Sequence, residues 1–395
     1  MAIFYNSAYP LNIKQDNLSA DPYVLAYSAN DIIDFKIAMK TGRAMKAGSL
    51  RVSGNLLVQK LGLDGNWANI SLLDRVFIDP YVGVQSFFRN ASTAVNGSMI
   101  ESIQYLPRWV GMKRQANYTI EGINTSSKVL SELCGTQNNY MLVPVTQYGT
   151  SFSFAPEMCI NKSDADLGQS KFSELRLSFN LANATEALYT TRDPADAYMT
   201  TEGTGFTQLR YSIGDVQARW IEGVEMMSKA PVNFQTCSLV TQTLLSDNSF
   251  FAITTPTPYT SLSLSFIKQT HRNSFFFNNN RCEFVEGLTG SAGRLEIEVN
   301  GNTGPIKFPI LTYQEAALNY WKSLNGMVKS SIMNEYLSQG ISGQGEGTTF
   351  GIGCSFVESV NDRVSFFLQI DRNAYEQNNI PARDTFIYTT GLLSV

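Results

Sequence analysis

His271 is the only histidine in the 395-residue chain. Histidine-based metal triads and H-E-x-x-H sites are thereby excluded, and a Ser-His-Asp triad would rest on this one side chain. It lies in Lys268-Gln269-Thr270-His271-Arg272, a polar stretch that reads as a strand end, where a solvated or hydrogen-bonded structural role is expected. Five cysteines, Cys134, Cys159, Cys237, Cys282 and Cys354, are scattered, odd in number and without C-x-x-C spacing. This indicates neither a disulfide framework nor a zinc site, and reduced, mostly buried thiols are expected. The chain contains no G-x-S-x-G, no Walker loop and no strand-to-helix G-x-G-x-x-G. Gly340 to Gly347 is glycine-rich but lacks the Lys-Ser/Thr of a phosphate cradle and reads as a loop. Among 34 acidic residues no pair is singled out by spacing for acid-base work. No residue is therefore assigned a catalytic, cofactor-binding or metal-ligating role, no cofactor is expected, and the protein is expected not to be an enzyme.

The residues that surround this empty inventory are unusual. Only 16% are charged, against roughly 25% in an average soluble protein. Aromatics reach 12%, with 24 Phe and 18 Tyr. Few charges, many aromatics and many neutral polar groups suit large permanent interfaces, because charge is depleted where subunits meet. The net charge is −4, and the first 30 residues carry one Lys and no Arg. Direct packaging of nucleic acid needs a basic arm to neutralise phosphates, so no direct sequence-specific nucleic-acid binding is expected. The cluster Lys36, Lys40, Arg43, Lys46 and Arg51 reads instead as the solvent-facing half of two strands. Met-Ala-Ile-Phe-Tyr-Asn at the N-terminus lacks a basic n-region and an apolar core, which argues against a signal peptide. No apolar run approaches the roughly 18 residues of a membrane span. Synthesis in the cytosol is expected. Eight Asn-x-Ser/Thr sequons, at Asn17, Asn69, Asn90, Asn96, Asn117, Asn124, Asn161 and Asn183, read as accidents of an Asn-, Ser- and Thr-rich chain without a secretory route.

Period-2 alternation dominates the elements. Phe35, Ile37 and Met39 alternate with Lys36, Ala38 and Lys40; Leu50, Val52, Leu56 and Val58 follow, with Gly54 as a candidate bulge. Leu175, Leu177, Phe179 and Leu181 oppose Arg176, Ser178 and Asn180, and Leu262, Leu264 and Phe266 oppose Ser261, Ser263 and Ser265. Strands that bury one face and wet the other point to antiparallel sheets in a sandwich or barrel. Helices are few. Thr312 to Leu324 has a capping box formed by Thr312 and Glu315, and an apolar stripe through Tyr313, Ala316, Ala317, Tyr320, Trp321 and Leu324. A shorter helix is expected from Ser127 to Cys134.

The elements recur in order. A strand reaching Val95-Asn96-Gly97, continued by Met99 to Ile103 and a helix start at Pro107, is matched by Arg294 to Val299, Asn300-Gly301, Pro305 to Pro309 and the helix near Thr312. Asn-Gly is the strongest two-residue hairpin signal, so both dipeptides are expected to be turns. A Phe-rich strand with a cysteine (Phe152 to Cys159, then Phe350 to Phe356) precedes an alternating strand (Leu175 to Leu181, then Val364 to Ile370). A Tyr-Gly strand closes each series, at Tyr211 and Gly214, then Tyr388 and Gly391. The shared order predicts two similar β domains in tandem. Gln208 to Trp220 reads as a closing strand, and Glu225 to Pro231 as the best linker.

This succession resembles the double-jelly-roll major capsid proteins of small eukaryotic double-stranded DNA viruses, especially polinton-like viruses and their virophage relatives. The likeness is carried by Phe152 to Asn161 leading into Glu174 to Ala182, and by Gln208 to Tyr211. It continues with Arg281 to Phe284, then Asn302 to Pro309 and the helix holding Asn319-Tyr320-Trp321, and ends with Phe350 to Cys354 and Phe386 to Leu393. The resemblance implies an all-β chain of two tandem eight-stranded antiparallel jelly rolls with a few short helices in connecting loops. Its expected division is an N-terminal arm at 1–30, a first jelly roll at 31–225 and a second at 226–395. The arm would reach neighbouring capsomers or the shell interior.

The same resemblance implies a structural virion protein that forms homotrimers, whose six jelly rolls make pseudo-hexameric capsomers tiling an icosahedral shell. Implied partners are further copies of the chain, neighbouring capsomers, penton and minor capsid proteins, and an internal membrane. The implied location is the virion capsid, made and assembled inside the host cell. Two alternatives stand beside it: a minor capsid or penton protein, and a carbohydrate-binding or glycosidase β-sandwich.

Overall fold

The computed structural model describes residues 14–21, 23–71, 74, 76–79, 81–117, 136–137, 141–142, 151–190, 206–225, 230–244, 248–253, 258–275, 277–280, 282, 294–301, 304–310, 313–324, 352–360, 364–369 and 383–395. The expected helix at Ser127 to Cys134, Cys134 itself, the Gly340 to Gly347 loop and most of the expected linker lie outside the described residues.

Sixteen strands carry the architecture. The first eight are β1 (Lys14–Ser19), β2 (Ile32–Ala38), β3 (Arg51–Gly62), β4 (Phe88–Val95), β5 (Ser98–Ile103), β6 (Ser151–Phe154), β7 (Glu174–Leu181) and β8 (Phe206–Val224). The next eight are β9 (Asn233–Leu244), β10 (Asn248–Ile253), β11 (Tyr259–Lys268), β12 (Arg294–Gly301), β13 (Gly304–Ile310), β14 (Ile352–Val360), β15 (Val364–Gln369) and β16 (Arg383–Ser394). Helix α1 (Leu106–Asn117) follows β5, the single turn α2 (Ala184–Ala187) follows β7, and α3 (Tyr313–Ser323) follows β13.

In the first half one sheet runs β1-β8-β3-β6 and the other β2-β7-β4-β5. In the second half they run β9-β16-β11-β14 and β10-β15-β12-β13. Every pairing within these four sheets is antiparallel. The chain changes sheet at each step except the tight hairpins β4-β5 and β12-β13, which is the Greek-key path of a jelly roll. Each strand of the second half stands where the strand eight places earlier stands in the first. The duplication expected from the sequence is therefore an equivalence of position.

The alternation sets the cores. On β2, Ile33, Phe35 and Ile37 are buried while Lys36 is exposed, and on β7 the inward residues are Leu175, Leu177, Phe179 and Leu181. Phe88 closes the first core at ring-centroid distances of 5.0 Å from Phe154, 5.2 Å from Phe179 and 6.4 Å from Phe152. The first hairpin turns at Asn96 (φ 50°) and Gly97 (φ 82°), as a type I′ turn requires.

Several expectations are corrected. Asn300-Gly301 is not the second turn: Asn300 pairs with Pro305 and Gly301 with Gly304, so both residues belong to the ladder. The Phe152 to Cys159 strand stops at Phe154, ahead of Pro156, and Cys159 sits in a 3₁₀ turn, Cys159–Asn161. The bulge expected at Gly54 lies opposite it. Asp215 and Val216 together stand opposite Gly54, between the Gly214–Asn55 and Gln217–Ser53 pairs, with Asp215 at φ 51°. The serine face of β11 is not wet: Ser261, Ser263 and Ser265 are buried, because helices cover that face. Ser263 Oγ meets Ser323 Oγ at 2.7 Å beside α3, and Ser265 Oγ accepts Arg108 of α1 at 2.8 Å.

The N-terminal segment joins the first sandwich from Lys14 on. β1 pairs along β8 from Lys14–Glu222 to Ser19–Gln217, and a short strand, Ala26–Tyr27, continues the same edge. This strand lies inside the stretch expected to be a free arm. Three members of the basic cluster are partnered: Lys40 pairs with Asp16 and, at 3.6 Å, Glu222; Lys46 with Asp166 at 2.6 Å; Arg51 with Ser153 Oγ at 2.9 Å.

Candidate functional site at the seam and the free edges

The two sandwiches meet in one continuous sheet. β5 lies beside β9 in parallel, with Ser102 opposite Ser238, so the order runs β2-β7-β4-β5-β9-β16-β11-β14 through both halves. A single parallel rung is weak by itself. What fixes it is a buried carboxylate. Glu101 Oε1 accepts the N–H of Cys237 at 2.8 Å and its Oε2 accepts the N–H of Cys159 at 2.7 Å. Asp164 bonds Asn233 N and Nδ2 at 2.9 and 2.6 Å, adding a second clasp at the start of β9.

Helix α1 reaches across the seam. Arg108 donates to Ser265 Oγ, to Phe266 O at 3.3 Å and to Asn279 O. Lys113 Nζ donates to Leu324 O at 3.0 Å, at the end of α3. The Trp109 ring stacks on Tyr388 at 5.3 Å and 28°. Just before the helix, Tyr105 stands at φ 50°, and its carbonyl accepts the Tyr388 hydroxyl at 3.0 Å. Arg89 and Arg272 each lie 5.1 Å from the Tyr105 ring, and both donate to its hydroxyl. Arg272 also pairs with Asp384 of β16. Cation–π contacts and charged hydrogen bonds thus bind residues from both halves.

Burial tunes the seam's ionisable groups. It pushes the Glu101 carboxyl up to about 7, against the pull of the Cys159 and Cys237 amides and the Lys162 charge. Burial likewise pushes Glu157 upward, but the charges of Lys162 and Arg114 win and bring it to about 2. The Glu157–Lys162 pair is 2.7 Å long, with side chains 23% and 22% exposed. Lys113 falls to about 8, by burial first and then by the Lys162 charge. Burial raises the Cys159 and Cys237 thiols well above their usual range, with Glu101 adding to it.

His271 is placed in the turn after β11, stacked on Phe277 at 3.5 Å and 9°. Cys159, Cys237, Cys282 and Cys354 are buried. Among the described residues no group of three or more His, Cys, Asp or Glu is placed to hold a metal ion. Sequence reasoning missed Glu101. Its signal was an acid on the inward side of the short strand Met99 to Ile103, two positions before the buried Ile103.

In the other two sheets, the edges at the counterpart positions of β5 and β9 are open on one side. β1 and Ala26–Tyr27 pair only with β8, and β13 pairs only with β12, among the described residues. Between β1 and Tyr27 the chain leaves the edge and exposes Tyr23 and Leu25, each at 91%.

No known sequence family matches the chain, and neither does any curated protein. Solved structures do. A chain of the Sputnik virophage, determined by cryo-EM, superposes with a TM-score of 0.59 at 10% identity, covering 100% of this chain and 88% of its own. The Faustovirus major capsid protein gives 0.58 at 7% identity, covering 100% and 93%. VP54 of PBCV-1, fitted into a reconstruction of the Sputnik virophage, gives 0.55 at 10%, covering 99% and 97%. The described residues therefore have the double-jelly-roll fold of these viral proteins, and the likeness covers the whole chain.

Proposed function

We propose that the protein is a major capsid protein with a structural, non-enzymatic role in the virion. The observation that carries this reading is the whole-chain match of both sandwiches, in tandem, to capsid proteins of viruses. The seam supports it physically. One sheet shared by both halves, clasped by Glu101 and Asp164 and crossed by α1, makes the pair a stiff block. A shell tile needs that stiffness.

In this reading three copies form a capsomer of six jelly rolls, and capsomers tile an icosahedral shell. Partners are neighbouring capsomers, penton and minor capsid proteins, and an inner membrane where the virion has one. The chain is made and assembled inside the host cell. The first unit is assigned to residues 14–225, since β1 is its first strand, and the second to 226–395.

Electron microscopy of the purified protein tests the reading. Class averages with six lobes and three-fold symmetry are expected. Two-lobed particles at all concentrations would contradict it.

A further inference from the structure

The chain joins its own halves by one pair of edges and leaves the counterpart pair open. Within the chain the fifth strand of the first sandwich (β5) lies beside the first strand of the second (β9). By position, the counterparts are the fifth strand of the second sandwich, β13, and the first strand of the first, β1 with Ala26–Tyr27. Both are paired on one side only among the described residues, as β2, β6, β10 and β14 also are, and what singles them out is that they stand at the counterpart positions of the in-chain join.

We propose that β13 of one copy docks beside the edge formed by β1 and Ala26–Tyr27 in a second copy of this chain, head to tail, repeating between molecules the join that β5 and β9 make within one. This deepens the capsid reading and rests on it, by naming the surfaces that hold copies together.

The register can be set from the two hairpins and the two closing strands. Ser102 is on the fourth rung of its hairpin, opposite Ser92. The fourth rung of the second hairpin is Glu298 opposite Lys307. In the second sandwich Ser238 stands opposite Thr389, and Cys237 opposite Thr390. Matching Tyr388 to Tyr211 makes Ile213 the counterpart of Thr390, and Ile213 stands opposite Tyr27. The next position, Ser28, is then the counterpart of Ser238. The contact rung is Lys307 beside Ser28.

Two features fit this edge to one short contact rather than to open-ended strand addition. Proline cannot donate to a ladder and occupies edge strands with the missing donor outward. Residues 305, 307 and 309 share one side of the β13 backbone, and Pro305 and Pro309 leave Lys307 the donor between them. The in-chain join likewise has a single rung. On the other surface, Tyr23 and Leu25 are presented immediately before Tyr27 at the strand's interruption, where β9 has none. They supply apolar area that the single rung lacks.

Two engineered forms test this. Ser28→Cys combined with Lys307→Cys should give intermolecular disulfides on mild oxidation, seen as covalent multimers on a non-reducing gel. Ser102→Cys with Ser238→Cys should instead close within a monomer. Linkage no greater than in the single cysteine variants would overturn the proposal. Tyr23→Asp with Leu25→Asp should reduce the native mass threefold while leaving the circular dichroism spectrum of the folded chain unchanged, since both side chains are exposed. An unchanged mass in that variant would overturn the proposed edge and leave the capsomer reading standing. A monomeric wild type would overturn both.

Discussion

Glu101 of the first sandwich accepts the backbone N–H of Cys237, on the first strand of the second, at 2.8 Å. Its other oxygen is committed to Cys159 at 2.7 Å, so no part of this buried carboxylate is left to solvent. Its titration is therefore written into the seam's stability. Raised from 4.5 to about 7, it binds its proton more tightly in the folded state. Its contribution is complete below pH 4.5 and is lost as pH rises through 7, on the order of 3 kcal/mol. Denaturant unfolding of wild type and Glu101→Gln across pH 4 to 8 should show the wild type falling relative to the variant over this window. Parallel curves would refute the assignment. At low pH the variant should be weaker by about 1–3 kcal/mol, because its amide turns a donor toward a backbone N–H.

Glu157 acts in the opposite direction. Lowered from 4.5 to about 2 by Lys162 and Arg114 against its burial, it stabilises above pH 4.5 and loses that contribution as pH falls through 2. Glu157→Gln should cost about 2 kcal/mol at pH 7 once partial exposure is allowed for, with the difference shrinking toward pH 2. An acid-unfolding titration of the two proteins measures it.

Phe88 packs on three other phenylalanine rings with no exposed surface. Phe88→Ala should cost about 3–5 kcal/mol through lost transfer energy and the cavity left behind. Chemical denaturation should show the loss without a change in oligomeric state, since the residue lies inside one sandwich.

Gly54 faces the bulge on β8. A Cβ there would lie 2.9 Å from Phe152 Cζ and 3.0 Å from Gly214 O. Gly54→Ala should therefore lower stability by about 1–3 kcal/mol, read from the urea midpoint. A neutral effect would mean that β6 moves freely against β3.

The sheets were legible wherever one face is buried and the other is wet, as on β2 and β7, because side-chain direction has period 2. The tandem repeat was legible through the order of such strands. The serine face of β11 misled because polar residues there are covered by α1 and α3, which lie far away in sequence. The second hairpin misled because Asn300-Gly301 fits a ladder end as well as a turn. β1 was missed because Lys14 to Ser19 carries Leu18 as its only large apolar residue, so its partner β8 determines it. The seam was illegible for a similar reason: Glu101 is distinguished by Cys159 and Cys237, 58 and 136 residues away.

The central claim is that these stiff two-sandwich blocks associate in threes, and the native mass by light scattering behind a sizing column, at several salt concentrations, tests it most directly. The account predicts a stable species of about three times 43.8 kDa. A species of 43.8 kDa at every concentration and salt would contradict it.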